Sequence, residues 1–225
     1  MLDLLRSSPF SFALLAVVLL LSLAFHELAH AFAADRMGDT TARNRGRLTL
    51  DPLKHLDPLG TLLIFVAGFG WARPVPIRPS NFRNLRWGMF VVSIAGVLVN
   101  IAIALIALAS LAALGVRQDA FGIAVLPGSQ AATLSQSNTG VGLLTALLTA
   151  ARINIVLTVF NLLPIPPLDG SKALAAWLPE TWQRQFWKLE RYGMLIVIVV
   201  MVGFRDQVSQ LINWVMTGMM QLILA

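Results

Sequence analysis

The sequence has 225 residues, of which 57% are hydrophobic and 12% are charged, and it contains no cysteine. A soluble domain carries about 25% charged residues, so this composition excludes an ordinary soluble protein and favours a chain that faces lipid. The net charge is +6. Without interleaved aromatic residues it does not indicate a nucleic-acid partner, and the absence of cysteine excludes disulfides and thiolate metal sites.

Three apolar stretches are long enough to cross a bilayer, which takes about 20 residues. They cover residues 9–34, 87–114 and 141–163. Two further apolar segments end the chain, at 192–204 and 208–225. The sequence therefore predicts an all-α polytopic membrane protein, with a three-helix core and a C-terminal helical hairpin.

Basic residues are concentrated in three of the connecting segments. Five Lys or Arg residues lie in 35–57, four in 72–86 and four in 164–192, whereas 115–140 has Arg117 alone. Because cytoplasmic loops are rich in Lys and Arg, the first three segments are predicted to be cytoplasmic. The short apolar stretch 59–71 then begins and ends on one side, so we expect a re-entrant segment that dips into the membrane and returns.

Two segments between the first and second spans are predicted to be extended. Residues 46–50 could form a short strand, and in 71–77 alternating prolines exclude a helix. The second segment is either an interfacial loop or an extended edge that pairs with an unwound substrate by strand addition.

The clearest chemical motif is His26-Glu27-Leu28-Ala29-His30, in the last third of the first span. Residues four apart lie on one face of a helix, so the two imidazoles can bind one zinc ion. Glu27 is then placed to act as general base on a water. Polar residues are costly within lipid, which favours a functional role. The alternative is a polar cluster satisfied by neighbouring helices.

A catalytic zinc site usually has three protein ligands and one open position. With no cysteine and only His55 as a further histidine, a carboxylate is expected as the third ligand. Asp169 is the best candidate, because it follows the third span in a proline-rich stretch that ends in Asp169-Gly170. It could equally be the N-cap of a helix over 171–178. His55 lies in a polar loop, where a hydrogen-bonding role is favoured over a metal role.

Two asparagines, Asn100 and Asn154, lie in otherwise apolar spans. Either could bridge helices by hydrogen bonds. Either could instead hold substrate backbone or polarise a carbonyl near the metal. The small residues Ser93, Ala95 and Gly96 favour close helix packing rather than catalysis.

These motifs, in this order, resemble the site-2 protease family of intramembrane zinc metalloproteases. The resemblance rests on HELAH (26–30), GWARPVPI (70–77), SIAGVLVN (93–100) and NLLPIPPLDG (161–170). It implies that Asp169 is the third zinc ligand and that Asn154 lies near the active site in a substrate or oxyanion role. It also implies a membrane-associated β-hairpin at 70–77. Residues 115–140 leave no room for a PDZ domain, so the compact bacterial and archaeal members are the better match.

The resemblance implies a zinc metalloendopeptidase that cuts transmembrane proteins within or near the lipid bilayer, in regulated intramembrane proteolysis. Family members often act on anti-sigma factors or signal-peptide remnants. We therefore expect residues 1–225 to form one intramembrane metalloprotease domain, with a core over about 9–178 and the C-terminal hairpin over about 186–225. The predicted location is the cell (cytoplasmic) membrane, with the zinc nearer the cytoplasmic side.

A membrane metal transporter is the alternative function, since intramembrane His and Asp also mark ion pathways. A transporter would space polar residues across the bilayer and would not need Glu27. The predicted ligands instead lie near one face, and the outer half of the first span is almost purely apolar. A non-catalytic scaffold is disfavoured because the glutamate of the motif is present.

Overall fold

The computed structural model describes residues 2–67, 70–118, 124–125 and 138–224. Two single 3₁₀ turns, Pro52–Lys54 and Pro79–Asn81, and two short strands, β1 (Arg117–Gln118) and β2 (Ala124–Val125), lie between helices. The described residues form ten α-helices: α1 (Leu2–Ser7), α2 (Pro9–Met37), α3 (Thr41–Asn44), α4 (Pro58–Ala67), α5 (Leu85–Ala113), α6 (Asn138–Leu162), α7 (Asp169–Ala175), α8 (Glu180–Glu190), α9 (Gly193–Gly203) and α10 (Arg205–Leu224).

Three helices are long and apolar enough to cross a membrane: α2, α5 and the Gly140–Leu162 part of α6. The hydroxyl of Ser8 caps the start of α2, and Gly38 ends the helix with a left-handed backbone, φ 112°. These helices confirm the prediction of a mainly helical, multi-pass membrane protein with three core spans.

The three spans pack against one another, and α10 closes one side of the bundle. Leu108 and Leu111 of α5 and Ile155 of α6 are fully buried in the resulting apolar cluster, which also includes Leu224 of α10. Other large apolar side chains of the spans remain exposed, as lipid-facing residues should be; they include Val17, Leu21, Leu98, Ile106 and Leu148.

The predicted re-entrant region contains α4, which has ten residues and is not among the helices long enough to span. After this helix the chain comes back to the point at which the re-entrant region begins. Leu56 forms an antiparallel bridge with Ala72, and the Arg73 amide donates to the His55 carbonyl at 2.8 Å. Both ends of the region therefore lie together, which is the geometry that a segment entering and leaving on one side requires.

The β-hairpin predicted at 70–77 is wrong. The described residues of this segment are extended, but they form no strand beyond the single bridge at Ala72. Pro74 and Pro76 have no N–H group, so they cannot donate to a ladder. The strand predicted at 46–50 is also absent from the described chain, because Gly46 turns the backbone with φ 65°.

The predicted C-terminal hairpin is also wrong, because α9 and α10 meet at 84° and do not run antiparallel. Phe204 is the single residue between the two helices. Antiparallel helices need a connection of about two to five residues. One residue allows a corner but not a reversal, so α10 turns back onto α5 and α6.

Helix α2 ends, α5 begins and α6 ends at the same end of the bundle, which we call the basic end because its connections carry most of the Lys and Arg residues. Asp39, just after α2, ties two of these connections together. Its carboxylate accepts hydrogen bonds from the Arg78 amide, the Thr41 hydroxyl and the Asn81 side chain. Burial raises the pKa of Asp39, but these hydrogen bonds outweigh it and hold the pKa below its usual range.

Candidate metal centre

Three of the predicted side chains converge on one point inside the basic end. The Nε2 atoms of His26 and His30 lie 3.0 Å apart. Oδ2 of Asp169 lies 3.0 Å from the first of these atoms and 3.1 Å from the second. All three residues are buried. Among the residues that the structure describes, this is the one group of His, Asp or Glu side chains placed to hold a metal ion.

The spacing of these atoms fits one zinc ion. Zinc binds nitrogen and oxygen ligands at about 2.0–2.2 Å in tetrahedral geometry, which separates neighbouring ligand atoms by about 3.3 Å. The observed separations are 3.0–3.1 Å. Two imidazoles and one carboxylate also leave the fourth position open, as a catalytic site requires.

Each histidine has a partner for its other ring nitrogen. His30 Nδ1 lies 2.7 Å from the Val92 carbonyl, so it donates its proton there and leaves Nε2 free for the metal. His26 Nδ1 lies 3.2 Å from the side-chain amide of Asn100. Oδ1 of this asparagine is buried and has no hydrogen-bond partner in the described chain. Rotating the amide by 180° places Oδ1 where it accepts the His26 proton, which suits a metal-bound Nε2.

Gly96 of α5 provides the space for the His26 ring. A Cβ atom at this position would lie 2.5–2.7 Å from three atoms of the imidazole. Such contacts are well inside van der Waals distance, so a larger residue would displace the ring. The small-residue face of α5 therefore does more than pack helices: it allows the His26 ring to lie against the helix backbone.

Asp169 is the first residue of α7, whose N-cap is Leu168. The carboxylate contacts the two imidazoles and does not cap the helix. The geometry therefore disfavours the cap interpretation and is compatible with a ligand, which stays a prediction. Gly170 allows this arrangement, because a Cβ there would lie 2.2 Å from the Leu162 carbonyl at the end of α6.

Glu27 is partly buried on α2, and its Oε2 accepts a hydrogen bond of 3.2 Å from the Val75 amide. This bond fixes the extended segment 73–77 against α2. A cleft of about 340 Å³ adjoins the segment, and its lining includes Val75, Ile77, Val92 and Ser93. Because the Val92 carbonyl also contacts His30, the cleft lies beside the candidate metal site.

The chain is similar to proteins of one family. The model of peptidase family M50 matches residues 78–204. A Bacillus subtilis protein, YwhC, described as a candidate zinc metalloprotease, is 40% identical over 188 residues, which cover 84% of this chain and 80% of that protein. The chain belongs to peptidase family M50.

Two mycobacterial relatives of this M50 protein are more distant and longer. Rip2 of Mycolicibacterium smegmatis, also described as a candidate zinc metalloprotease, is 33% identical over 191 residues, 81% of this chain and 64% of that protein. Rip2 of Mycobacterium tuberculosis is 32% identical over 191 residues, 82% of this chain and 64% of that protein. No solved structure gives a significant match. The family and the His/His/Asp cluster together identify a zinc metalloprotease of the site-2 protease type.

Asn154 and His55 lie outside the cluster of this M50 protease. Asn154 is buried on α6, where Nδ2 donates to the Ser22 hydroxyl at 2.9 Å and to the Ala150 carbonyl at 2.8 Å. It thus bridges α6 to α2, and its expected substrate or oxyanion role stays a prediction. His55 is fully buried and contacts the Thr49 carbonyl at 2.8 Å, in agreement with a hydrogen-bonding role.

Sequence reasoning missed three contributors to the site: the Val92 carbonyl, the Asn100 contact with His26, and the steric role of Gly96. The first is a backbone atom and carries no signal in the sequence. The other two are separated from His26 by 74 and 70 positions, so only the docking of α5 on α2 shows their contacts.

Proposed function

We propose that this M50 protease is an intramembrane endopeptidase that hydrolyses peptide bonds of transmembrane substrates within or near the bilayer. The observation that carries the proposal is the convergence of two imidazoles and one carboxylate between helices long and apolar enough to span. His26, His30 and Asp169 are the proposed zinc ligands, and Glu27 is the proposed general base. Residues 1–225 would act as one intramembrane metalloprotease domain.

The proposed chemistry divides the work between the metal and Glu27. Zinc, when bound, supplies a Lewis acid that lowers the pKa of water towards 7 and polarises a carbonyl. Glu27 takes a proton from the attacking water and later gives it to the amine of the leaving half. The hydrogen bond from the Val75 amide holds one carboxylate oxygen in place, so the proposed base has a fixed orientation.

The proposed oxyanion role of Asn154 carries a cost. Its Nδ2 already donates to Ser22 and Ala150, so a bond to substrate would replace one of them. Asn100 is better placed to orient His26 than to bind substrate, because its amide lies against the ring. Both asparagines stay proposals for substrate contact.

A substrate helix must unwind before it is cut, because its carbonyls are tied up in hydrogen bonds. The extended segment 73–77 and the cleft beside it are the proposed place for the unwound chain. Carbonyl groups of the segment, which can accept although Pro74 and Pro76 cannot donate, and apolar side chains in the cleft would then hold the substrate. Helix-breaking residues near the scissile bond are expected to increase the rate of cleavage.

The proposed location is the cytoplasmic membrane of the cell, with the basic end and the zinc towards the cytoplasm. Proposed substrates are single-pass membrane proteins such as anti-sigma factors or signal-peptide remnants. Their transmembrane helices would reach the cleft from the bilayer, since the flanking spans expose apolar side chains to lipid.

Cleavage by the purified full chain in proteoliposomes tests this function, with single-pass substrates that carry a helix-breaking pair in the span. Glu27→Gln should bind zinc normally and lose at least about a thousandfold of the cleavage rate, because a general base and its proton transfer are lost. Glu180→Gln is the matched control, since Glu180 is exposed on α8 and pairs with Arg184. Undiminished cleavage by Glu27→Gln, or zinc flux without proteolysis, would contradict the proposal.

A further inference from the structure

A basic pocket lies at the basic end, beside segment 73–77. It has a volume of about 410 Å³, and the described residues that line it are four cationic residues and two prolines: Arg45, Arg47, Lys54, Arg73, Pro74 and Pro76. No carboxylate is among the lining residues that the structure describes. The pocket therefore concentrates positive charge around a space large enough for a phosphate group.

The four cations have no ionic partner in the part of the chain that the structure describes, where the ion pairs involve other residues. Arg47 is only 7% exposed. One of its terminal nitrogens donates to the Arg73 carbonyl, while its Nε has no hydrogen-bond partner among the described residues. A buried guanidinium with an unused donor is costly unless an anion completes it.

The charges around Arg47 also indicate that this buried guanidinium lacks an anionic partner among the described residues. Burial lowers the pKa of Arg47, the carboxylate of Glu27 raises it in part, and the charge of Arg73 lowers it further. An anion in the pocket would offset both of the unfavourable contributions. Guanidinium groups also match phosphate in geometry, because they donate parallel hydrogen bonds to two of its oxygens.

Two exposed leucines on the same loop indicate which source of phosphate the pocket meets. Leu50 is 56% exposed and Leu53 is 78% exposed, although both lie in an otherwise polar connection. Leu53 precedes Lys54, which lines the pocket. Exposed apolar side chains beside clustered basic residues are typical of a segment that lies at a membrane surface, with the apolar groups among acyl chains and the basic groups among headgroups.

We propose that the basic pocket binds the phosphate of an anionic phospholipid headgroup. Leu50 and Leu53 would enter the acyl region beside the same lipid, and the phosphate would offset the uncompensated positive charge of the buried Arg47. A free phosphate ion would use the same cations but would gain nothing from the leucines. An acidic protein segment would also find the charges, but its carboxylates would have to reach a pocket bordered by apolar side chains.

Native mass spectrometry of the full chain in neutral detergent tests the proposal by titration with phosphatidylglycerol and, separately, with phosphatidylcholine. Wild type should bind phosphatidylglycerol at least about tenfold more tightly than phosphatidylcholine. The double variant Arg45→Gln, Lys54→Gln should weaken that binding by about 30-fold, at about tenfold per 1.4 kcal/mol and roughly 1 kcal/mol for each basic residue near a lipid surface. Both side chains are exposed, so the variant should fold normally.

The double variant Arg83→Gln, Arg86→Gln is the matched control, because it removes two exposed cations at the same end but outside the pocket. Its affinity should change by less than about threefold. Equal affinity of wild type for the two lipids, or equal losses in the two variants, would overturn the proposal. The lipid selectivity of wild type alone decides this if a variant fails to fold.

Two competition arms separate the sources of the anion. Wild type is first loaded with phosphatidylglycerol. Inorganic phosphate or a glutamate-rich peptide is then added, at the same concentration that saturates the pocket when phosphatidylglycerol is used. We expect that neither inorganic phosphate nor the peptide displaces the lipid. Inorganic phosphate that binds as tightly as the lipid would identify a soluble-anion site, and a peptide that displaces the lipid would identify a protein partner; either result overturns it. Binding is measured without substrate, so failure here leaves the proposed proteolysis intact.

Discussion

Helix α5 holds the imidazole of His26 from two directions. Asn100 contacts Nδ1, and Gly96 leaves room for the ring face. The spacing of His26 and His30 was sufficient to predict both as ligands of one metal ion, because residues i and i+4 lie on the same face of a helix. Asp169 lies 139 positions beyond His30, so spacing could not choose between ligand and helix cap. The family resemblance chose the ligand, and the side-chain geometry agrees.

Gly96→Ala should lower zinc affinity by at least about tenfold, since the added Cβ would displace a ligand that has to be held within a fraction of an ångström. Gly218→Ala on α10 is the matched control. A Cβ at Gly218 meets nothing within 4 Å in the described chain, so zinc affinity should not change. Competition with a chromogenic chelator measures both. Equal affinities in the two variants would show that His26 does not need the space.

Asn100→Leu should weaken zinc binding by about 10- to 100-fold, because the Nδ1 proton of His26 would lose its acceptor. Asn100→Asp should retain most of the affinity, since a carboxylate accepts the same proton. Zinc affinity at neutral pH distinguishes this positioning role from a role in packing alone. If the leucine and aspartate variants bind zinc equally well, the contact does not orient the ligand.

At the scale of elements, the sequence predicted each span within a few residues, but the connections were harder. The re-entrant region was identified from charge on both of its flanks, and the closed base at Leu56 and Ala72 fits it. The β-hairpin failed because Pro74 and Pro76 cannot donate to a ladder. The prediction of a C-terminal hairpin failed because the length of an apolar segment shows where a helix lies but not how it is oriented. The angle between α9 and α10 depends on Phe204, the single residue between them.

Asp39 joins the end of α2 to the segment that leads into α5, so Asp39→Asn should destabilise the basic end. We expect a loss of about 2 kcal/mol at neutral pH, the scale of charge-assisted hydrogen bonds to a buried group. The folded pKa is depressed from a usual value of 3.8. The contribution is therefore present above about pH 4 and is lost as the pH falls through the folded pKa.

Thermal unfolding in detergent at a series of pH values measures this difference. The melting temperatures of wild type and Asp39→Asn should differ most at neutral pH and converge in acid. A constant difference from neutral to strongly acidic pH would mean that the charge of Asp39 does not contribute.

At the scale of the whole molecule, the proposed orientation follows from the basic residues at one end of the bundle. The chain has no cysteine, so single cysteines report their side of the membrane without background. N44C should be labelled by a membrane-impermeant maleimide only in inverted membrane vesicles. R117C should be labelled only in spheroplasts, where the outer surface of the cytoplasmic membrane is accessible. Both positions are exposed. Reversed labelling would place the zinc nearer the outer surface.

The proposed proteolysis depends on the metal centre. X-ray absorption at the zinc edge, with the zinc content of the purified full chain, measures it directly. We expect one zinc ion per chain, bound by two imidazole nitrogens and by oxygen at about 2.0–2.2 Å, with the signal lost in His26→Ala and Asp169→Ala. A chain without zinc, or a metal surrounded by oxygen alone, would contradict the account.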